Sequence, residues 1–230
     1  RSASPDAPSG IAILSLQGVL TNRGALASFR DALDRADKNA DVGTVVLDVD
    51  SPGGTVAGTP ETASAVADVA SRKRVIAVAD SLMASAAYWI GSQASELVVS
   101  PSADVGSIGV IAVHLDVSKM LEDFGVKATV MRSTPFKAEG SPLEALTDEA
   151  KAHWASEIAD AHERFVKAVA AGRGTSQTAV REGFGQGRTV SAQKAVSMGM
   201  ADRVATMSDV LAGLRVKRGS MSRRSAILSF

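Results

Sequence analysis

The sequence predicts an α/β fold with much parallel strand pairing, and three observations carry that reading. Short β-branched runs alternate with helical patterns along most of the 230 residues. Several of those runs are apolar on both faces, as strands inside a layered sheet have to be. The composition is 45% hydrophobic but only 4% aromatic, so the core has to be built from Ala, Val, Leu and Ile. A chain of this length buries a sizeable core, and one domain of this size is ordinary.

The first nine residues are polar and lack periodicity, and they read as a flexible segment. From there to residue 214 the pattern is that of one domain. Strands are expected at "IAILSL" (11–16), "TVVLDV" (44–49), "RVIAVA" (74–79), "ELVVS" (96–100), "SIGVIAV" (107–113) and "KATVM" (127–131). Helices are expected over 24–37, 58–71, 85–94, 117–124, 147–171, 191–198 and 206–214. The helix from Thr147 has the clearest signal. Thr147 can cap it, Asp148 and Glu149 sit at the positive dipole end, and Trp154, Ile158, Ala161 and Phe165 form one apolar stripe. His153 and His162 lie beside that stripe and read as solvent-facing. "GRGTS" (172–176) ends the helix. "GRTVSAQKAVSMGMADRV" (187–204) reads as a loop, a helix capped by Ser191 and closed by Gly199, and a short strand. Residues 215–230, "RVKRGSMSRRSAILSF", read as a flexible basic tail.

Composition also excludes functions. With 25 basic against 25 acidic residues, there is no support for a nucleic-acid partner. The chain has no cysteine, which rules out disulfides, cysteine nucleophiles and Cys-ligated zinc; no metal or other cofactor is expected. No apolar run approaches the roughly 18 residues that span a bilayer. The start, "RSASPDAPSG", has neither Met nor an apolar signal core, so the chain reads as a fragment or processed form.

Several stretches can carry chemistry. Ser85 in "SLMASAAYWIG" follows a strand and opens a helix, with alanines on both sides. By itself it reads first as a helix cap or a small packing residue, and only second as a nucleophile. "DVDSPGG" (48–54) ends a strand in a proline and two glycines, and such a turn can aim free N–H groups at an oxyanion. A plain strand-to-helix turn has the same signature. His114, just past a strand end, is the plausible imidazole partner for a serine, so a Ser-His-Asp triad stays open. Lys137 in "STPFKAEGSP" (133–142) is a second candidate base. A lysine serves as a base only when neutral, which requires burial to lower its pKa from about 10.4 towards 7. Ser107, between glycines in "GSIGV", can hold such an amine.

Taken in order, "DSPGG", "SLMASAAYWIGSQASELVVSPSADVGSIGV", "FKAEGSPLEALTDEA" and "GRTVSAQKAVSMGMADRV" resemble the signal peptide peptidase A family of serine proteases. The similarity is greatest to its bacteriophage branch, the head-maturation proteases of the protein C type, and it covers about residues 10 to 210. The resemblance implies a ClpP/crotonase-like spiral of ββα units and a Ser-Lys dyad. Ser85 matches the nucleophile, Lys137 the general base, and Ser107 the hydroxyl that orients the lysine. Gly53 and Gly54 match the oxyanion turn, with the Ala86 amide as a second donor. In the implied mechanism Lys137 takes the Ser85 proton, Ser85 attacks the peptide carbonyl, and a water activated by Lys137 hydrolyses the acyl-enzyme. Leu143 and Glu144 depart from the family pattern, which bears on specificity and not on the dyad.

The resemblance further implies a polypeptide substrate and a homo-oligomer. The leading expectation is cleavage of capsid or scaffold proteins in a phage prohead within the host cytoplasm. The alternative is degradation of cleaved signal peptides, membrane-associated if an N-terminal anchor was removed. Competing expectations are a ClpP-like triad through His114, a crotonase-fold acyl-CoA enzyme using the glycine turn, and a silent assembly component. The tail "RRSAILSF" is also expected to be able to lie in a protease groove as an added strand.

Overall fold

The apolar runs form the centre of a mostly parallel sheet in the computed structural model, which describes residues 10–219 and 227–229. In chain order the elements are β1 (Gly10–Leu20), α1 (Ala25–Lys38), β2 (Val42–Gly54), α2 (Thr59–Ala70), β3 (Arg74–Ala84), α3 (Ala86–Gly91), β4 (Glu96–Val99) and β5 (Asp104–Gly106). They continue as α4 (Ser118–Asp123), α5 (Asp148–Gly172), α6 (Gln177–Gly183), β6 (Thr189–Ser191), α7 (Ala192–Ser197), β7 (Arg203–Val204), α8 (Met207–Gly219) and β8 (Ile227–Ser229). The chain divides into two compact units. The first comprises residues 1–109 and 164–230, and the second residues 110–163.

The first unit holds the sheet, in the order β6-β5-β3-β2-β1-β8, with β4 pairing β3 and β7 pairing β4. All pairings are parallel except β5 with β6. Register explains why the runs are apolar on both faces. Leu14, Leu47, Ala77 and Leu97 lie side by side across four strands and belong to the main core cluster. Their neighbours Val46 and Ile76 point the other way, with Ile11 and Val98, into a second cluster closed by Val210 of α8. On that second face the strands continue into Gln17, Asp48, Asp50 and Asp80. α1 buries Leu26, Phe29, Leu33 and Ala36 at helical spacing.

The second unit contains α4 and the first turns of α5. Thr147 caps α5 as expected, its Oγ1 accepting from the Ala150 N–H at 3.1 Å.

Some expectations are corrected. Residues 107–113 and 127–131 form no strand. Alternating apolar residues make a segment competent for a sheet, but a strand also needs a ladder partner, and among the described residues neither segment has one. α6 was hidden behind the "GRGTS" stop signal, although Ser176 caps it by accepting from the Ala179 N–H at 3.1 Å. His162 does not face solvent freely, because its Nδ1 is buried. At the C-terminal end α8 runs on to Gly219 and β8 adds to β1, Ile227 pairing with Ile11. Parallel pairing occupies backbone groups that an edge strand otherwise leaves open. The flexible segments expected at 1–9, 220–226 and 230 lie outside the described residues.

Candidate active site

Ser85 sits where β3 ends and α3 begins, in a backbone conformation that few residues adopt. Its φ is +53° and its ψ −123°, a strained region costing about 1–3 kcal/mol for a residue with a side chain. The surroundings hold it there. The Ser85 N–H donates to the Gly106 carbonyl at 2.8 Å, and the Ser85 carbonyl accepts from the Trp89 N–H at 2.9 Å. α3 itself is anchored: all six of its residues are buried, Trp89 stacks on Phe165 with centroids 4.6 Å apart, and the Tyr88 hydroxyl donates to the Met200 carbonyl at 2.9 Å. Burial holds the Tyr88 pKa well above its usual value, so that hydroxyl stays a donor. Ser85 occupies the N-cap position yet its side chain makes no capping bond. The helix-cap role that the sequence allowed is therefore unused, and the half-buried hydroxyl is left for other work.

The glycine turn closes against this serine. Gly53 has φ +101°, and a Cβ there would lie 2.6 Å from the Ser85 Cβ and 3.0 Å from the Ala86 nitrogen. Only glycine permits that approach. The Gly53 N–H donates to the Ser51 Oγ within β2 itself at 3.1 Å, and the Thr55 N–H donates to the Leu20 carbonyl of β1 at 2.9 Å. At φ +101° Gly53 leaves the regular extended path, and the chain turns there against β3 and Ser85. Gly54 is exposed and Gly53 buried. Of the two glycines, Gly53 makes the close approach and spends its N–H on Ser51, while Gly54 is the one left exposed. Ala86 heads α3, where first-turn N–H groups have no acceptor within the helix.

Ser107 follows Gly106, whose carbonyl holds the Ser85 amide, and has its own φ of +54°. Its N–H donates to the Arg188 carbonyl at 3.0 Å. Ser85, Gly53, Gly54, Ala86 and Ser107 thus come together within the first unit.

Lys137 belongs to the second unit. It is exposed, in a turn where its N–H donates to the Thr134 carbonyl at 3.2 Å. Phe136 and Ala138, on either side of it, line a cavity of about 200 Å³ with Arg132, Gly140 and Glu144. Arg132 and Glu144 are paired there, so Glu144, one of the two residues that depart from the family pattern, is tied to a cation at the cavity wall. His114 is engaged elsewhere in the same unit: its Nε2 lies 3.0 Å from the Ser141 carbonyl, and its ring meets Trp154 edge-on at 6.1 Å.

The sequence reading overlooked Ser51. It is fully buried, and besides accepting from Gly53 its hydroxyl donates to the Gly18 carbonyl at 2.6 Å. The available signal was a serine two residues before a turn glycine, the spacing at which a hydroxyl bonds nearby backbone.

No helix among the described residues is long and apolar enough to cross a membrane, and no cluster of metal-ligating side chains occurs among them. Residues 67–220 match Peptidase family S49. The chain is 30% identical to the capsid assembly protease C of Escherichia phage lambda, over 96% of this chain and 51% of that protein. It is 29% identical to the head-tail preconnector protein GP5 of Enterobacteria phage P21, over 94% of this chain and 46% of that protein. The chain therefore spans about half the length of these curated relatives. Among solved structures, a mutant of the 1510-N membrane-bound stomatin-specific protease superposes with a TM-score of 0.53 at 15% identity, covering 89% of this chain and 83% of that one. The superposition establishes the ClpP-like α/β fold.

Proposed function

Because the chain belongs to Peptidase family S49, we propose that it is a serine endopeptidase in which Ser85 is the nucleophile and Lys137 the general base. The observation that carries this reading is Ser85 itself: a strained serine, held by three neighbouring segments, whose hydroxyl is spent on no structural bond. Strain of this kind persists where surrounding structure over-determines it, and it concentrates at active sites. The Gly54 and Ala86 amides flank the serine as oxyanion donors. Ser107 orients the lysine. His114 is the weaker base candidate, since its Nε2 is engaged by the Ser141 carbonyl.

The substrate is a polypeptide, and by likeness to the phage lambda capsid assembly protease the reading places cleavage of capsid or scaffold proteins in a phage prohead. The working state is a homo-oligomer. A lysine acts as a base only when it is shielded from water, and Lys137 is exposed in the single chain. Among the described residues, nine of the eleven exposed large hydrophobic ones also fall between 111 and 143. Those side chains expose on the order of 1,000 Å², comparable to the roughly 800 Å² that each partner contributes to a standard interface.

Cleavage of casein or a phage scaffold protein across Ser85→Ala, Lys137→Ala and His114→Ala tests the assignment. The first two are expected to lose activity by about 10⁴-fold or more, and His114→Ala to keep most of it. Retained cleavage in Lys137→Ala together with loss in His114→Ala would replace the dyad by a histidine-based triad.

A further inference from the structure

We infer that Ser51 is a positioning residue for this reaction: its buried hydroxyl sets the Gly53–Gly54 turn against Ser85. The inference rests on the endopeptidase reading above and adds to it a residue whose role lies behind the glycines.

Two irregularities meet at this side chain. β1 and β2 lose register between Gln17 and Val19, where Gly18 takes φ +64°. β2 and β3 lose register between Val49 and Ser51. Both breaks border Ser51: towards β1 it has no ladder partner, and towards β3 the ladder resumes at Ser51, opposite Met83, only after a slip. The Ser51 hydroxyl bridges the gap. It donates to the Gly18 carbonyl at 2.6 Å and accepts from the Gly53 N–H at 3.1 Å, with no exposure to solvent. A single oxygen therefore joins the bulge of β1 to the first glycine of the turn.

The consequence reaches Ser85 through the backbone. With its N–H fixed on Ser51, the peptide between Pro52 and Gly53 cannot rotate. Gly53 then keeps the face that packs on the Ser85 Cβ and the Ala86 nitrogen. The next amide, that of the exposed Gly54, is held in place with it. Without the hydroxyl, the buried Gly53 loses the acceptor of its N–H, while the Gly18 carbonyl lies on an exposed residue that water can reach. The turn can then recover a bond by rotating the Gly53 amide, which moves Gly54 off the line to the oxyanion. An oxyanion donor acts only when it is aimed before the charge develops, so the loss appears in the transition state and not in substrate binding.

The test measures kcat and KM on a peptide substrate, and the inhibition constant of a peptide boronate, for Ser51→Ala and Ser51→Cys, each corrected for folded active sites. The cysteine variant keeps the volume of the side chain but bonds poorly, so it decides the matter if the alanine variant does not fold. The expected result is a fall in kcat of about 10–100-fold with KM within about threefold, and boronate binding weakened in parallel with kcat. Unchanged kcat and boronate affinity in either folded variant overturns the inference, as does a rise in KM alone. Ser85→Ala, run alongside, separates the two levels. If it is inactive while the Ser51 variants match wild type, only the role of Ser51 falls. If Ser85→Ala cleaves like wild type, the nucleophile assignment falls and the role of Ser51 with it.

Discussion

The two units of the chain treat apolar residues in opposite ways. In the first unit, the strands bury side chains on both faces, and two core clusters account for nearly every large hydrophobic residue. In the second, residues 110–163, the only buried apolar side chains among the described residues are Ala150 and Ala161, while Ile111, Leu115, Phe124 and Met131 are among nine large ones left exposed. The first unit is a finished core, and it carries Ser85, the proposed nucleophile, with Gly53, Gly54, Ala86 and Ser107. The second carries Lys137, the proposed base, on an open turn. A nucleophile held in strained geometry needs a rigid frame, and a lysine base needs a cover. In this chain the first unit contains its frame, and on the proposed reading the second takes its cover from a neighbouring copy.

The sharpest way to break that comparison is to cut one aromatic from each unit. Trp89→Ala removes a buried ring that stacks on Phe165, and a loss of about 3–5 kcal/mol in unfolding free energy is expected. Phe124 is 79% exposed, so Phe124→Ser should shift stability by no more than about 0.5 kcal/mol. Its effect should appear in association, as a lower mass by light scattering at equal concentration. A Phe124→Ser protein that unfolds as readily as Trp89→Ala would show that the second unit has a core of its own. One that keeps its mass and full activity would remove Phe124 from the proposed interface.

A smaller effect is expected at the junction of frame and function. Gly53→Ala places a methyl 2.6 Å from the Ser85 Cβ at φ +101°, so either the turn or the nucleophile must move. We expect kcat/KM to fall by about 100-fold, equivalent to about 2.7 kcal/mol of transition-state stabilisation. Gly174→Ala is the natural control: its φ is also positive, at +61°, but a Cβ there meets nothing within 4 Å. Equal losses in the two variants would point to backbone strain in general and not to the contact with Ser85.

The same contrast marks how far the sequence could be read. The core strands of the first unit were legible because a both-sides-apolar run has few uses outside a buried sheet. Ser85 became legible through the order of its neighbours, since its own surroundings suited a cap just as well. Residues 107–113 and 127–131 misled for a physical reason: alternation of apolar residues reports a preference for pairing, and the pairing partner is not written in the segment. Ser51 was harder to read for a different reason: a serine two residues before a turn glycine signals a local bond but not the role. Its role depends on two register breaks in strands 33 residues apart, and a single segment does not reveal how its neighbours are aligned.

The smallest effect expected concerns the acidic end of the sheet in the first unit. Asp48 is held above its ordinary pKa of 3.8, first by burial and then by the negative charges of Asp80 and Asp50, against a weaker pull from the Gln17 amide. A carboxyl whose pKa is raised on folding stabilises the fold fully at pH values below its unfolded pKa. That contribution is lost as pH rises through the folded value. At pH 7 the ionised Asp48 is therefore a liability that Asp48→Asn removes. We expect the variant to melt about 1–3 °C higher than wild type at pH 7, and the gain to disappear as pH approaches 3.8. Salt separates the two causes, because repulsion from Asp50 and Asp80 is screened while the cost of burial is not. With burial the larger cause, most of the gain should survive 0.5 M salt, a concentration at which the Debye length is roughly 4 Å. A gain that vanishes in salt would make the neighbouring carboxylates the main cause, and a variant less stable than wild type at pH 7 would mean that the Asp48 carboxylate is needed by a partner on that face.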